Sequence, residues 1–177
     1  MKNFLLVIDI QNGFIDKNTV SAKTRIDTLI QTGVFDCVIA SVYQNYPDSP
    51  ISRLMGWYGM TMPREQQLVG EAANADYFVY KSTYSAFSAS LVEILKKENG
   101  GKIPDRVYIA GVDTECCVPL TAADLFENGI RPVVLTFYCG SSGGEEHNNA
   151  GIMSIKSIIG ESNMSDICIK TKEDIKQ

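Results

Sequence analysis

A thiol placed where an apolar strand turns into a helix is the feature of this sequence with the clearest chemical consequence. The run Ala110-Gly111-Val112-Asp113-Thr114-Glu115-Cys116-Cys117-Val118 leads into a helix predicted over 117–128. A cysteine at that point faces backbone N–H groups without helical acceptors and the positive end of the helix dipole, both of which favour its thiolate. The thiolate is a nucleophile, and the same N–H groups can hold an oxyanion. Free cysteine is also among the most buried residue types, so the turn taken alone reads as the place of an inert core thiol.

Two other segments supply partners. The apolar run from Phe4 ends at the carboxylate of Asp9, and the run from Tyr77 ends at the ammonium of Lys81. Taken singly, Asp9 reads as a turn or capping carboxylate and Lys81 as a solvated strand end. Together with the thiol, they put an acid, a base and a nucleophile at the carboxyl ends of three predicted parallel strands. In open α/β sheets that is where ligands bind.

The residues around these groups form patterns. Asp9-x-Gln11-x-x-Phe14, Lys81-x-x-Tyr84-Ser85-Ala86-Phe87 and Gly111-Val112-x-Thr114-Glu115-x-Cys117-Val118 occur in this order. From Phe4 to about Ile159 the chain resembles the isochorismatase-like cysteine hydrolases, which include nicotinamidases and related amidases. The resemblance implies that Cys117 is the nucleophile and that Cys116 fills a variable position beside it. It implies that Asp9 takes the thiol proton and that Lys81 holds Asp9. It further implies an oxyanion hole from the backbone N–H groups of Asp113 and Cys117, and a cis peptide just before Asp113. Gln11, Phe14, Tyr84 and Phe87 match positions near the substrate pocket.

The elements that must position these groups follow from the hydrophobic pattern. Strands are predicted near 4–9, 36–42, 77–81, 106–111, 131–135 and 167–169, and helices near 22–32, 64–72, 88–98, 117–128 and 145–158. Several strands are apolar throughout, as strands covered on both faces must be. The alternation gives a three-layer α/β/α sandwich around a mostly parallel six-stranded sheet. Gly129 suits the position just past a helix end, and Pro119 the first helical turn. At 177 residues the chain fits one domain, taken as 1–177.

Composition narrows the function. The formal net charge is −5 and no basic run occurs, which argues against nucleic-acid binding. No apolar stretch has the length of a membrane span, and no signal-peptide pattern precedes the first strand. The five cysteines are an odd number without a C-x-x-C pair and read as reduced thiols, so a cytoplasmic protein is expected.

The segment 44–63 carries three prolines, two glycines and Trp57, and reads as a structured loop without a helix. Its aromatic residues suit either a wall or lid over the cleft or an oligomer contact; relatives commonly form dimers or tetramers. Gly140-Ser141-Ser142-Gly143-Gly144 reads as a flexible active-site loop more than as an anion cradle. Nicotinamidases carry an Asp-x-His metal motif after the second strand. The corresponding stretch here is Val42-Tyr43-Gln44-Asn45-Tyr46, and the single histidine, His147, lies far along the chain. No metal or other cofactor is therefore expected, and nicotinamide becomes a poor choice of substrate. Isochorismatases proper do not use a cysteine nucleophile, so Cys117 weighs against vinyl-ether hydrolysis. The expected activity is hydrolysis of a C–N bond in a small amide through a thioester. The alternatives are a non-catalytic binding module on the same fold and a redox sensor built on Cys116 and Cys117.

Overall fold

The computed structural model describes residues 2–175. Six strands form one parallel sheet: β1 Phe4–Ile8, β2 Cys37–Tyr43, β3 Tyr77–Lys81, β4 Arg106–Val112, β5 Arg131–Gly140 and β6 Met164–Ser165, in the order β3-β2-β1-β4-β5-β6. The helices are α1 Val20–Gln31, α2 Pro63–Gln66, α3 Ala89–Glu98, α4 Cys117–Glu127 and α5 Glu145–Ile159.

The period-two alternation of strand side chains explains how both faces are covered. From β1, Phe4, Leu6 and Ile8 join Leu91 and Leu95 of α3, Val118 and Leu125 of α4, and Ile155 of α5 in one core. Leu5 and Val7 point the other way, into a second core with Ile26 and Leu29 of α1. The sheet winds outward in both directions from the β1–β4 pair. Their adjoining carboxyl ends are the switch point at which such a sheet opens a crevice.

The close pairing of β1 with β4 requires Gly111. Its φ is +136°, and a Cβ there would lie 2.2 Å from the Ile8 carbonyl oxygen. Gly151 plays a comparable part in α5. A Cβ at that position would sit 2.5 Å from the Thr114 backbone, so this glycine lets α5 pack onto the turn that leads to Cys116 and Cys117.

Four elements differ from the sequence reading, and the first is β5, which runs on to Gly140 and does not end near 135. The last strand is Met164–Ser165, not 167–169. Ile169 instead packs in the second core, its N–H donating to the Tyr138 hydroxyl at 2.8 Å. The helix expected over 64–72 is interrupted after α2, because Gln67 and Val69 exchange backbone hydrogen bonds with Asn12 and Ile10. The loop after β2 contains one wide helical turn, Ile51–Met55, where no helix was expected. Among the described residues, no helix is long and apolar enough to cross a membrane.

Candidate active site

The chain leaves β1 through Asp9, whose φ of 52° lies in the left-handed region. Aspartate tolerates that region better than most residues. The turn is held by Ser41 on β2: the Asp9 N–H donates to Ser41 Oγ at 3.1 Å, and that hydroxyl donates to Asp9 Oδ1 at 2.6 Å. The second carboxylate oxygen, Oδ2, accepts from Lys81 Nζ at 2.7 Å. Both side chains are almost completely buried.

Lys81 arrives from the end of β3. Its ammonium also donates to the carbonyls of Thr83 and Tyr84 at 3.1 and 2.9 Å, and lies 3.4 Å from Cys117 Sγ and 4.9 Å from the centre of the Tyr43 ring. A buried charge needs this much compensation, because desolvating an unpaired ammonium is costly. The Lys81 contacts thus bring the acid, the ammonium and the thiol together, although Asp9 and Lys81 stand 72 residues apart and Lys81 and Cys117 a further 36.

Cys117 is the first residue of α4. The amides on either side of it, Cys116 N–H and Val118 N–H, donate to the Asp113 carbonyl at 3.0 and 3.3 Å. The Cys117 amide occupies a position that has no acceptor within its own helix. The Val112–Asp113 peptide is cis, as the resemblance implies. Thr121, one turn along α4, donates to the Cys117 carbonyl at 2.7 Å and accepts from the Ala86 N–H at 3.0 Å. This ties the Cys117 turn to the segment after Lys81.

The electrostatics correct one expectation. The helix N-terminus was expected to favour the thiolate. Burial, reinforced by the Asp9 carboxylate, instead holds the Cys117 thiol well above the ordinary range, and Lys81 offsets this only in part. The order of magnitudes is reasonable. A helix terminus contributes about 0.3–1 kcal/mol, rising to about 2 in partly buried sites. Full burial can shift a group by about 3–5 pKa units at about 1.4 kcal/mol each. Burial and the nearby Asp9 carboxylate thus favour the neutral thiol over the thiolate at Cys117. Cys168 is exposed and Cys117 buried, so peptide mapping after brief iodoacetamide treatment at pH 7.5 should find Cys168 modified first.

The thiol opens onto a cavity of about 310 Å³. Phe14, Trp57 and Tyr84 line it, as the sequence suggested, and Phe14 and Trp57 are stacked at 6.4 Å between ring centres. Gln11 and Phe87 do not line it. Gln11 is fully buried and spends its amide on backbone, donating to the Tyr43 and Gln66 carbonyls at 2.9 and 2.7 Å and accepting from the Tyr43 N–H at 2.8 Å. Phe87 packs against the core beside α3 and α4.

Gly13, Ile51 and Met55, which the sequence reading did not single out, also line the cavity, together with Tyr43, Cys116 and Ser142. Ser142 belongs to the glycine-rich segment. That segment is a hydrogen-bonded turn: Ser142 donates its N–H and hydroxyl to Asp113 at 2.8 Å each, and Ser141 donates to Glu115 at 2.6 Å. Burial pushes the Asp113 carboxyl up, while the two Ser142 hydrogen bonds pull it down. No signal of spacing marks Ser41 or Thr121, since each acts through one hydroxyl aimed by tertiary structure.

The donors after β2 do not form a metal-binding set. Asn45 is spent on the loop, donating to the Trp57 and Gly59 carbonyls at 3.3 and 3.0 Å and accepting from Ser49 Oγ at 2.6 Å. Among the described residues, no three histidine, cysteine, aspartate or glutamate side chains converge as metal ligands.

A doubly wound parallel sheet with this cluster beside its switch point defines the isochorismatase-like α/β class. The chain belongs to the isochorismatase-like hydrolase family: the Isochorismatase domain matches residues 3–161. N-carbamoylsarcosine amidase from Thermoplasma acidophilum is a similar solved structure, with TM-score 0.75, 23% identity and 100% of both chains covered. Nicotinamidase from Bacillus subtilis gives TM-score 0.73 and 22% identity over 96% of this chain and 100% of its own. Pyrazinamidase of Pyrococcus horikoshii, solved in complex with zinc, gives 0.69 and 21% over 96% and 100%. At these identities the likeness is one of fold. Among curated proteins, none matches the chain.

Proposed function

We propose that the protein is a metal-independent cysteine amidohydrolase acting on a small, non-peptide C–N bond. The observation that carries this reading is the hydrogen-bonded convergence of Asp9, Lys81 and Cys117 on one cavity at the carboxyl ends of β1, β3 and β4.

The substrate carbonyl sits over the start of α4, with its oxygen toward the backbone N–H groups of Cys117 and Asp113. Cys117 Sγ attacks the carbonyl carbon as its proton passes to Asp9. Lys81 holds the Asp9 carboxylate in place and steadies the sulfur as negative charge crosses it. The tetrahedral intermediate collapses, the C–N bond breaks, and Asp9 returns the proton to the leaving nitrogen. An acyl thioester remains on Cys117. Water then attacks it, giving up a proton to Asp9, and the C–S bond breaks as Asp9 passes that proton to the sulfur, which releases the carboxylic acid and restores the thiol.

The amidase names among the structural neighbours support the bond type. The absence of a converging ligand set after β2 supports a route without metal. A single hydrolase domain, a homodimer or tetramer and a reducing cytoplasm complete the proposal. Intact-mass spectrometry during incubation with a panel of small amides tests it. A mass increase on Cys117 equal to an acyl group is expected, and it identifies the substrate's acid half. Turnover that stops on exhaustive chelation and returns with zinc would overturn the metal-independent route. A chain that turns over no amide and traps no acyl group would be a binding module.

A further inference from the structure

The proposed mechanism uses Asp113 through its backbone N–H and leaves its side chain without a task. Among the described residues that line the cavity, Asp113 alone has a side chain charged at neutral pH. Lys81 is not one of them: its side chain is 3% exposed and is paired with Asp9. Ser142 lines the cavity beside Asp113 and donates its N–H to one carboxylate oxygen and its hydroxyl to the other, at 2.8 Å each. Each oxygen keeps a further lone pair.

That carboxylate has hydrogen bonds but no counter-ion. No lysine, arginine or histidine among the described residues forms an ion pair with it. The charged neighbours that bear on it, Glu115 and Asp9, are carboxylates as well. Burial pushes the Asp113 carboxyl up, and no cation stands beside it to offset the cost. A partly buried carboxylate is ordinarily paired, so this one leaves the positive partner to be supplied from the cavity.

The rest of the wall suits such a partner. Phe14, Trp57 and Tyr84 line the same space, and aromatic rings attract a desolvated cation, quaternary ammonium groups above all. We infer that the Asp113 carboxylate is the specificity-determining group of this site, and that the substrate is a small amide carrying a quaternary or alkylated ammonium. This rests on the hydrolase reading above and adds the class of substrate to it. The residue that holds the cation is also the one whose N–H is assigned to the oxyanion. The positive nitrogen therefore sits on the carbon next to the carbonyl or on the one after. An anionic amide meets a like charge there. A net charge of −5 on the whole chain favours the approach of a cation.

The test uses glycine betaine amide, with a trimethylammonium next to the carbonyl carbon, and tert-butylacetamide, which has the same shape with carbon in place of nitrogen. Calorimetric binding to Cys117→Ala reads recognition alone, free of the electron withdrawal by which a quaternary nitrogen speeds attack on its neighbouring carbonyl. The cationic amide should bind about 10- to 100-fold more tightly than its isostere, and the preference should shrink as salt is raised. Adding Asp113→Asn should remove most of that preference. In the protein with Cys117 intact, Asp113→Asn should lower the kcat/KM ratio of the two probes by a similar factor.

A carboxylate that only steadies the Ser142 turn would give a different result. Asp113→Asn would then depress both probes alike and leave their ratio unchanged, which would overturn the inference. Equal affinity of Cys117→Ala for the two probes, or no binding of either, would also overturn it, and both are read without any substitution at Asp113. A cation preference in binding that needs Asp113 supports the inference even where neither probe is turned over; that outcome counts only against the hydrolase reading. Turnover of neutral amides with no preference for a cation counts only against this one.

Discussion

The strand ends that carry the reactive groups and the loop that walls the cavity are held by different means. Asp9, Lys81 and Cys117 sit where three parallel strands finish, and every charge among them has a buried partner within hydrogen-bonding distance. The wall over 45–62 hangs mainly from one side chain. Asn45 holds the loop carbonyls of Trp57 and Gly59 and the Ser49 hydroxyl, while Leu54, Met55 and Tyr58 lie exposed at the tip. The first arrangement fixes atoms to the precision that bond making needs. The second encloses the space beside it. The Asp9–Lys81–Cys117 cluster is thus held by the sheet, and the Ile51, Met55 and Trp57 part of the cavity wall by the loop.

The sharpest way to break this contrast is at the sheet. Asp9→Asn keeps the shape of the side chain and removes the proton acceptor of a neutral thiol. Turnover on the amide identified by trapping should fall by about 10²–10⁴-fold, with circular dichroism unchanged. A folded variant with near wild-type kcat would end the proposed mechanism. Cys117→Ala should remove turnover altogether and abolish the acyl mass increase.

Next comes Lys81→Ala, which leaves the Asp9 carboxylate buried without its ion pair. Breaking such a pair costs about 3–5 kcal/mol, so denaturant melts should show a large fall in stability as well as lost activity. Combining it with Asp9→Asn should recover part of that stability and none of the activity. This is a pattern that a surface lysine would not give.

At the loop the expected effects are smaller and of a different kind. Asn45→Ala removes the ties to Trp57, Gly59 and Ser49. It should raise KM several-fold while leaving kcat within about threefold, with a stability loss of about 1–3 kcal/mol for the buried groups left unpaired. A fall in kcat as large as that of Asp9→Asn would show that the loop positions the reactive atoms after all.

The smallest effect is expected at Cys116→Ala. That thiol lines the cavity, but burial and the neighbouring Glu115 carboxylate push it up to about 11, and Lys81 makes no contact with it. Most activity should remain in a steady-state assay. An inactive Cys116→Ala beside an active Cys117→Ala would reverse the assignment of the nucleophile.

The same division governs how much could be read from the chain before its fold was known. The continuous apolar strands and the charged or nucleophilic residue that ends each one are local patterns. They pointed to the sheet and to Asp9, Lys81 and Cys117 as groups that would meet. The lining of the cavity depends on which way side chains leave an irregular loop, and periodicity says nothing about that. Gln11 and Phe87 match pocket positions by pattern yet serve backbone and core. Ile51 and Met55 come from a helical turn that the surrounding prolines and glycines concealed. A two-residue strand such as Met164–Ser165 has no period to detect. The protonated state of Cys117 depends on burial depth, which a helix start in a sequence does not disclose.

The long spans between the three reactive groups bear on the life of the chain before it is finished. Asp9 and Lys81 are joined across 72 residues, and Cys117 enters from a fourth strand made later still. No stretch shorter than the segment from Asp9 through Cys117 contains the machinery. A growing or fragmented chain exposes ordinary cysteines and an ordinary lysine. The Asp9 carboxylate and the Cys117 thiol come to the two sides of the Lys81 ammonium only when β1, β2, β3 and β4 have all taken their places. On the proposed mechanism, reactivity is in this sense a certificate of completed folding.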